Sequence, residues 1–358
     1  MNPVSTSELA ALFDCFIPNA SPASFEQLKG GHINLTYKVR LASGAQYILQ
    51  AVNANVFPNV TGLMENVFRI SAHLEKKLST MNPDPNALRF LRFVPPARQS
   101  ASLSDDKWYW RVYHFIDGVV TRTEAKSPAE AYTAAKAFGR FQSLLADLPE
   151  PRLNETIPNF HNTRRRFEAL EKAISDDICG RAAGVREEIA GIRALRDAAL
   201  EVQCAYEAGL MPERTVHNDA KFSNILLDSN DGHAVCIIDL DTCMPGLSLH
   251  DFGDLVRSMV CFAPEDEKDV TKIRANREMF SALCDGFLSE ADSHLTPAEH
   301  KLLRAGGVCM TSEVAVRMLT DYLQGDTYFR IAYPEHNLVR ARSQMTLARS
   351  ILDDLPIV

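Results

Sequence analysis

The chain has no C-x-x-C pair, no apolar run long enough to cross a bilayer, no excess of positive charge, and no repeat or low-complexity tract. Each absence closes off a class of protein. The eight cysteines, at 15, 179, 204, 236, 243, 261, 284 and 309, are scattered. They read as reduced thiols rather than a disulfide framework or a zinc site. A chain of 358 residues buries about three quarters of its unfolded surface and needs no covalent staples. A spanning helix needs about 20 consecutive apolar residues, and none is present. The opening stretch MNPVSTSELAALFDCF carries no Lys or Arg, so no signal peptide is expected and a cytoplasmic location is. The formal charge of −8 argues against a non-specific nucleic-acid binder, which needs a basic face to displace counterions, and against a polybasic membrane anchor.

What is present is ordinary in bulk and uneven in distribution. Apolar residues make up 46% and charged residues 23%, as in most globular proteins. Residues 1–117 hold 11 Lys+Arg against 9 Asp+Glu, a net of +2, and residues 118–358 hold 27 against 37, a net of −10. The split suggests two lobes with a boundary near 117, although surface charge alone also serves solubility.

The hydrophobic pattern agrees with that division. LTYKVRL and AQYILQAV read as strands joined by the turn ASGA. Leu63, Val67, Ile70, Leu74 and Leu78 recur at helical spacing. LRFVPPA and WYWRVYHFI read as further short strands. Ser127-Pro128 opens a helix with Pro at its first position, and residues 161–208 are long, polar and helix-compatible. NILLD and AVCIIDL are strand-like around a turn at Ser229–Gly232, and Thr296 to Glu299 forms a capping box. Helices then run almost to the end.

The densest polar information is His217-Asn218-Asp219-Ala220-Lys221-Phe222-Ser223-Asn224, followed by Ile238-Asp239-Leu240-Asp241. Phosphoryl transfer depends mainly on positioning and charge neutralisation. Asp219 suits the carboxylate that orients an acceptor hydroxyl and takes its proton, and Lys221 suits the cation near the transferred group. Asn224 and Asp239 offer the hard oxygens Mg²⁺ prefers. The competing reading is a polar hairpin with capping side chains.

D-x-K-x-x-N followed by a strand ending in Ile-Asp resembles the catalytic and metal-binding segments of kinase-like folds. H-N-D in place of H-R-D is similar to the aminoglycoside phosphotransferase and choline kinase branch. The resemblance implies an α+β, bilobal protein-kinase-like fold with a small β-rich N-lobe at 1–117, binding ATP, and a large mainly helical catalytic and sugar-binding C-lobe at 118–358. Gly30, Gly31 and Asn34 resemble the glycine-containing nucleotide loop, and backbone groups near Tyr113 and Phe115 would read adenine. The strand position that carries a phosphate-holding Lys in kinase-like folds is Gln50 here. Either Mg²⁺ and Lys221 hold the nucleotide more firmly, or another cation substitutes; Glu65 on the next helix is then expected on the solvated surface. His250-Asp251-Phe252-Gly253-Asp254 contains D-F-G but lies too far past Asn224 to supply the metal ligand. Asp251 and Asp254 are expected to brace the loop after the metal site, through backbone groups or Arg257.

GGHINLTY, YILQAVN, WRVYHFI, HNDAKFSNIL, IDLDTCMPG, DYLQGDTYF and YPEHNLVRARSQ, in this order, together resemble the N-acetylhexosamine 1-kinases, where the Gln of YILQ also occurs. That resemblance implies ATP- and Mg²⁺-dependent phosphorylation of the anomeric hydroxyl of GlcNAc or GalNAc to the α-1-phosphate. It places His32, Asp219, Thr242, Arg317 and Tyr328 at the sugar. The expected partner is a small-molecule sugar, with no nucleic acid and no membrane; no signal fixes the oligomeric state, and a monomer is the default. A related kinase for an aminoglycoside, choline or homoserine is the first alternative, and an inactive kinase-like binding module the second.

Overall fold

In the computed structural model, residues 4–28, 34–81, 87–98 and 107–357 are described. The expectations for Gly30, Gly31 and His32 lie outside them. The elements in order are α1 (Thr6–Asp14), β1 (Pro22–Gln27), β2 (Leu35–Leu41), β3 (Gln46–Asn53), α2 (Val60–Ser79), β4 (Phe93–Val94), β5 (Trp108–His114), β6 (Val119–Val120), α3 (Pro128–Leu145), α4 (Thr163–Asp176), α5 (Arg186–Ala194), α6 (Arg196–Ala199), α7 (Glu201–Glu207), β7 (Arg214–Val216), β8 (Ile225–Asp228), β9 (Ala234–Ile237), β10 (Met244–Gly246), α8 (Ser248–Met259), α9 (Arg277–Ala291), α10 (Pro297–Lys301), α11 (Leu303–Leu323) and α12 (His336–Asp354). The chain divides into two compact units. One comprises 1–120, 148–158 and 227–243; the other comprises 121–147, 159–226 and 244–358.

The first unit is built on a five-stranded sheet in the order β1-β2-β3-β5-β4, every neighbouring pair antiparallel. The β2–β3 hairpin turns at Gly44, whose φ of +91° disfavours any residue with a side chain. One face buries Val39, Leu49, Ala51, Trp110 and Val112 under Leu9, Leu12 and Phe13 of α1. The helix α1 starts at a capping box, Ser5 with Glu8, the signal that marks helix starts in sequence. The helix α2 carries the expected apolar stripe, with Leu63, Val67 and Ile70 fully buried.

The second unit is helical. α11 is buried along most of its length and packs against α4, α8 and α12. Phe167, Leu170, Ile189, Val316, Leu319 and Leu338 form part of its core. The helical stretch expected over 161–208 is broken into four helices. Asp177 takes a left-handed conformation at the end of α4, and Gly180 follows at φ +64°. α8 and α11 approach closely at Gly253, where a Cβ would stand 2.2 Å from the Gly306 carbonyl oxygen. The glycine of the D-F-G lookalike is thus a helix-packing residue.

Candidate functional site

In the second unit the catalytic-loop candidates converge. β7 ends at Val216, and the loop after it is pinned by one buried carboxylate. Asp251 of α8 accepts from the backbone amides of His217 at 2.9 Å and Asn218 at 2.7 Å, and from Gln142 Nε2 at 2.8 Å. Asn218 is held at φ +62°, a conformation that costs a non-glycine residue on the order of 1 kcal/mol and persists only where its surroundings enforce it. His161 Nε2 donates to the Asn218 carbonyl at 2.9 Å, while its Nδ1 faces Glu313 Oε1 at 2.8 Å. Facing a carbonyl and a carboxylate, both nitrogens donate, so His161 is an imidazolium. Burial opposes that charge, but Glu313 more than offsets it and raises the pKa of His161. The same pairing outweighs burial at Glu313 and lowers its carboxyl to about 2.

The loop so held presents Asp219. Lys221 Nζ lies 3.0 and 2.8 Å from its two carboxylate oxygens. Asn224 Nδ2 donates to the Asp219 carbonyl at 2.8 Å and to Oδ2 at 2.9 Å. Burial pushes the Asp219 carboxyl up, but the Lys221 charge and hydrogen bond, with Asn224, bring it below the ordinary value. Asp219 is therefore ionised at neutral pH and aimed by two donors. Because Asn224 spends its amide nitrogen on Asp219, its amide oxygen is turned away from that carboxylate. That is the orientation a hard metal ligand requires, and the donor type fits a divalent cation.

Arg317 and Tyr328 are also brought together. Arg317 Nη2 lies 3.5 Å from the Tyr328 hydroxyl, and its guanidinium stands 5.4 to 5.8 Å from the rings of Phe160, Tyr328 and Phe329. Tyr328 is 66% exposed. The loop that carries it is fixed by Asp321, which accepts the amides of Thr327, Tyr328 and Phe329 at 2.8 to 2.9 Å. The sequence reading missed Asp321, Glu313 and His161.

In the first unit, Gln50 is tied into a polar network across the sheet. Its Nε2 donates to Thr36 Oγ1 at 2.9 Å, and its Oε1 accepts from Arg111 Nε and Nη2 at 3.0 and 2.6 Å. Arg111 Nη2 pairs with Asp241 Oδ1 at 2.6 Å, and both side chains are at most 5% exposed. Asn34 donates to Asp241 Oδ2 at 2.7 Å and accepts from the Asn53 amide. A cation thus lies beside Gln50, on β5, but it is buried and already paired with Asp241. Asp239 sits at φ +62°, at the start of the turn Leu240–Thr242. That turn is held by Thr156, which donates to the Asp241 carbonyl, and by Asn66, which donates to the Cys243 carbonyl. Thr242 is half-buried within it. Glu65 is exposed. The Tyr113 ring packs on Phe93, and burial raises its hydroxyl pKa. Lys38 stands 3.8 Å over the Phe115 ring. The amides of His114 and Phe115 donate to the Arg92 and Gln46 carbonyls at 2.9 and 3.2 Å.

Asp251 and Asp254 brace neighbouring structure, with one correction. Asp254 pairs with Arg257 at 2.6 Å, as expected. Asp251, however, supports the loop before Asp219 rather than the loop after Asp239, because α8 packs along the end of β7.

The fold has known counterparts. An amicoumacin kinase, solved with AMP-PNP and Ca²⁺, aligns over 97% of this chain and 94% of its own at 13% identity, with a TM-score of 0.61. A microcompartment-associated aminopropanol kinase aligns over 96% and 97% at 16% identity, TM-score 0.60. The choline kinase of Streptococcus pneumoniae aligns over 97% and 100% at 15% identity, TM-score 0.57. These likenesses establish a protein-kinase-like fold, with a small antiparallel-sheet lobe and a helical lobe. The family model of the phosphotransferase enzymes (APH) matches residues 24–284, a span that contains the D-x-K-x-x-N loop and Asp239. The chain belongs to that phosphotransferase enzyme family.

Proposed function

We propose that this phosphotransferase moves the γ-phosphoryl group of ATP to the anomeric hydroxyl of an N-acetylhexosamine, GlcNAc or GalNAc, giving the α-1-phosphate. The observation that carries the reaction type is the ionised Asp219 held between Lys221 and Asn224. An acceptor hydroxyl that donates to Asp219 is oriented for in-line attack, and the carboxylate takes its proton as the new bond forms. Lys221, already within reach of Asp219, balances charge on the transferred group. Bound Mg²⁺ would neutralise the phosphates; the sequence motif assigns Asn224 and Asp239 to it. The nucleotide would be held by the glycine segment Gly30–Gly31 and by the strand that carries Tyr113 and Phe115.

The acceptor class rests on the resemblance and on the sugar-facing residue types. His32, Thr242, Arg317 and Tyr328 are hydrogen-bonding and aromatic groups suited to a neutral sugar, and the Arg317 charge disfavours a cation. A second reading has one support: kinases of similar fold act on choline and aminopropanol. An acceptor panel of GlcNAc, GalNAc, glucose, choline, homoserine and kanamycin with ATP and Mg²⁺, followed by phosphorus NMR, decides between them. An anomeric phosphate on an N-acetylhexosamine is the expected product; turnover of cationic acceptors alone would sink the sugar assignment.

A further inference from the structure

The loop that carries Asp219 is gripped at Asn218 from both ends of that residue. Asp251 of α8 takes its amide, and His161 takes its carbonyl. His161 stands just before α4, with 5% of its side chain exposed. Its other nitrogen meets Glu313 of α11, a fully buried side chain whose second oxygen accepts from Thr163 Oγ1 at 3.1 Å. Donation to the carbonyl requires a proton on Nε2, and donation to the carboxylate requires one on Nδ1. A ring with a single proton would give it to the carboxylate, because a bond to a charged acceptor is about twice as strong as one to a neutral acceptor. Nε2 would then turn a lone pair on the Asn218 oxygen 2.9 Å away, and the grip would become a repulsion. The hold on the loop depends on the second proton.

The groups around the ring decide whether that proton stays. Burial opposes it, and the Glu313 charge and hydrogen bond, with the bond to Asn218, outweigh burial and the opposing charge of Arg317. Arg166 of α4 faces Glu313 rather than the ring. Cys309, one turn before Glu313, has its thiol pushed up to about 12 by burial and is neutral. His250 of α8 has its ring centroid 5.1 Å from that of His161 and is pushed down to about 3 by burial, so it is neutral as well. Asp251, beside it, is occupied by the His217 and Asn218 amides and by Gln142. With its pKa raised, His161 keeps the second proton at neutral pH and loses it as pH rises through that value.

α11 also carries Arg317, four residues after Glu313 and therefore on the same face. The Arg317 guanidinium stands 5.6 Å from the Phe160 ring, which lies 4.3 Å from the ring of the adjacent His161. The proposed acceptor corner and the loop bearing the base are thus set from one buried helix. We propose that His161 is a positioning residue for phosphoryl transfer: its doubly protonated ring, fixed by Glu313, holds the Asn218 carbonyl and aims Asp219 at the acceptor hydroxyl. This role rests on Asp219 being the base, and it is the same for any acceptor.

The experiment follows turnover of GlcNAc, and of choline in its place, with ATP and Mg²⁺ from neutral to alkaline pH. His161→Phe keeps a ring beside Phe160 and His250 but removes the donor. It is expected to lower kcat about 10²-fold, as a shift of about 1 Å at a reacting group does, with the ATP and acceptor KM values within about twofold of wild type. Glu313→Gln acts differently: its amide can donate to Nδ1, so a neutral ring keeps its one proton on Nε2 and the grip no longer titrates. Its loss in kcat should be about tenfold smaller than that of His161→Phe, and its alkaline limb should lie at higher pH than in wild type. In wild-type protein labelled with ¹⁵N-histidine, the His161 signal, assigned by its absence from His161→Gln, should show both nitrogens protonated at neutral pH. Near-normal kcat in His161→Phe, with Asp219→Asn strongly impaired, overturns the positioning role and keeps the base. Normal turnover in Asp219→Asn overturns the base, and the positioning role with it. An alkaline limb at the same pH in wild type and Glu313→Gln, or a singly protonated His161 at neutral pH, overturns the grip and leaves the kinase reading intact.

Discussion

Each unit holds an aspartate against a cation at hydrogen-bonding distance, and the two pairs differ in what surrounds them. Arg111 and Asp241 are 5% and 1% exposed, and other bonds of theirs go to Gln50, Asn34 and the Met64 sulfur. Lys221 and Asp219 are 37% and 28% exposed. The first pair is enclosed by partners and has the character of a structural fastener. The second is open, with more than a quarter of each side chain exposed. Similar chemistry, set at different depth, separates a pair that fixes a loop from the pair proposed to react.

The contrast can be broken experimentally, beginning with the largest effect. Asp219→Asn keeps the shape of the loop but removes the base, and kcat should fall by about 10³-fold while the ATP KM changes little; near-normal steady-state turnover would reject Asp219 as the base. Since its folded pKa is depressed by Lys221 and Asn224, Asp219 stays ionised to lower pH than an ordinary carboxyl, and the acid limb of kcat should lie on the acid side of the ordinary carboxylate range, read from a pH profile. Asp239→Ala should eliminate ATP turnover at ordinary magnesium, read by a magnesium titration; retained activity would move the metal site elsewhere.

Arg111→Met leaves the Asp241 carboxylate buried without its cation, and denaturant unfolding should show a loss of about 3–5 kcal/mol. An unchanged midpoint would make the pair dispensable. Arg317→Ala should raise the acceptor KM about tenfold with a smaller change in kcat, and an unchanged KM would remove it from the acceptor's surroundings. Lys221→Ala should sit at the opposite pole from Arg111→Met: catalysis drops, but stability by denaturation moves by less than about 1 kcal/mol, as for partly exposed pairs.

Much of this was legible in the sequence where the signal is local. The β2–β3 hairpin, α2 and the Ser127 cap of α3 follow from period, turn residues and capping chemistry. The HNDAKFSN loop was legible because its residue types have fixed offsets. The Ser5–Glu8 box that opens α1 is likewise a local signal in the sequence. What the sequence does not display is pairing across distance. Nothing near Asp241 marks Arg111, 130 positions earlier, as its partner, nor does anything near His161 point to Glu313. The segments 148–158 and 227–243 cluster with the first unit through contacts such as Asn66 to the Asn154 and Cys243 carbonyls. Asp251 was recognised as a brace, but its object depended on where α8 packs.

That brace has a practical consequence. One carboxylate on α8 sets two consecutive amides of the loop that leads into Asp219, and α8 is itself seated on α11 through the tight Gly253–Gly306 contact. The register of the proposed base is therefore inherited from a helix-to-helix seam. Warming that loosens this seam by a fraction of an ångström would idle the enzyme while most of its helices remained formed. The ceiling on its working temperature is then set by how firmly one helix is seated, and heat inactivation should precede global melting.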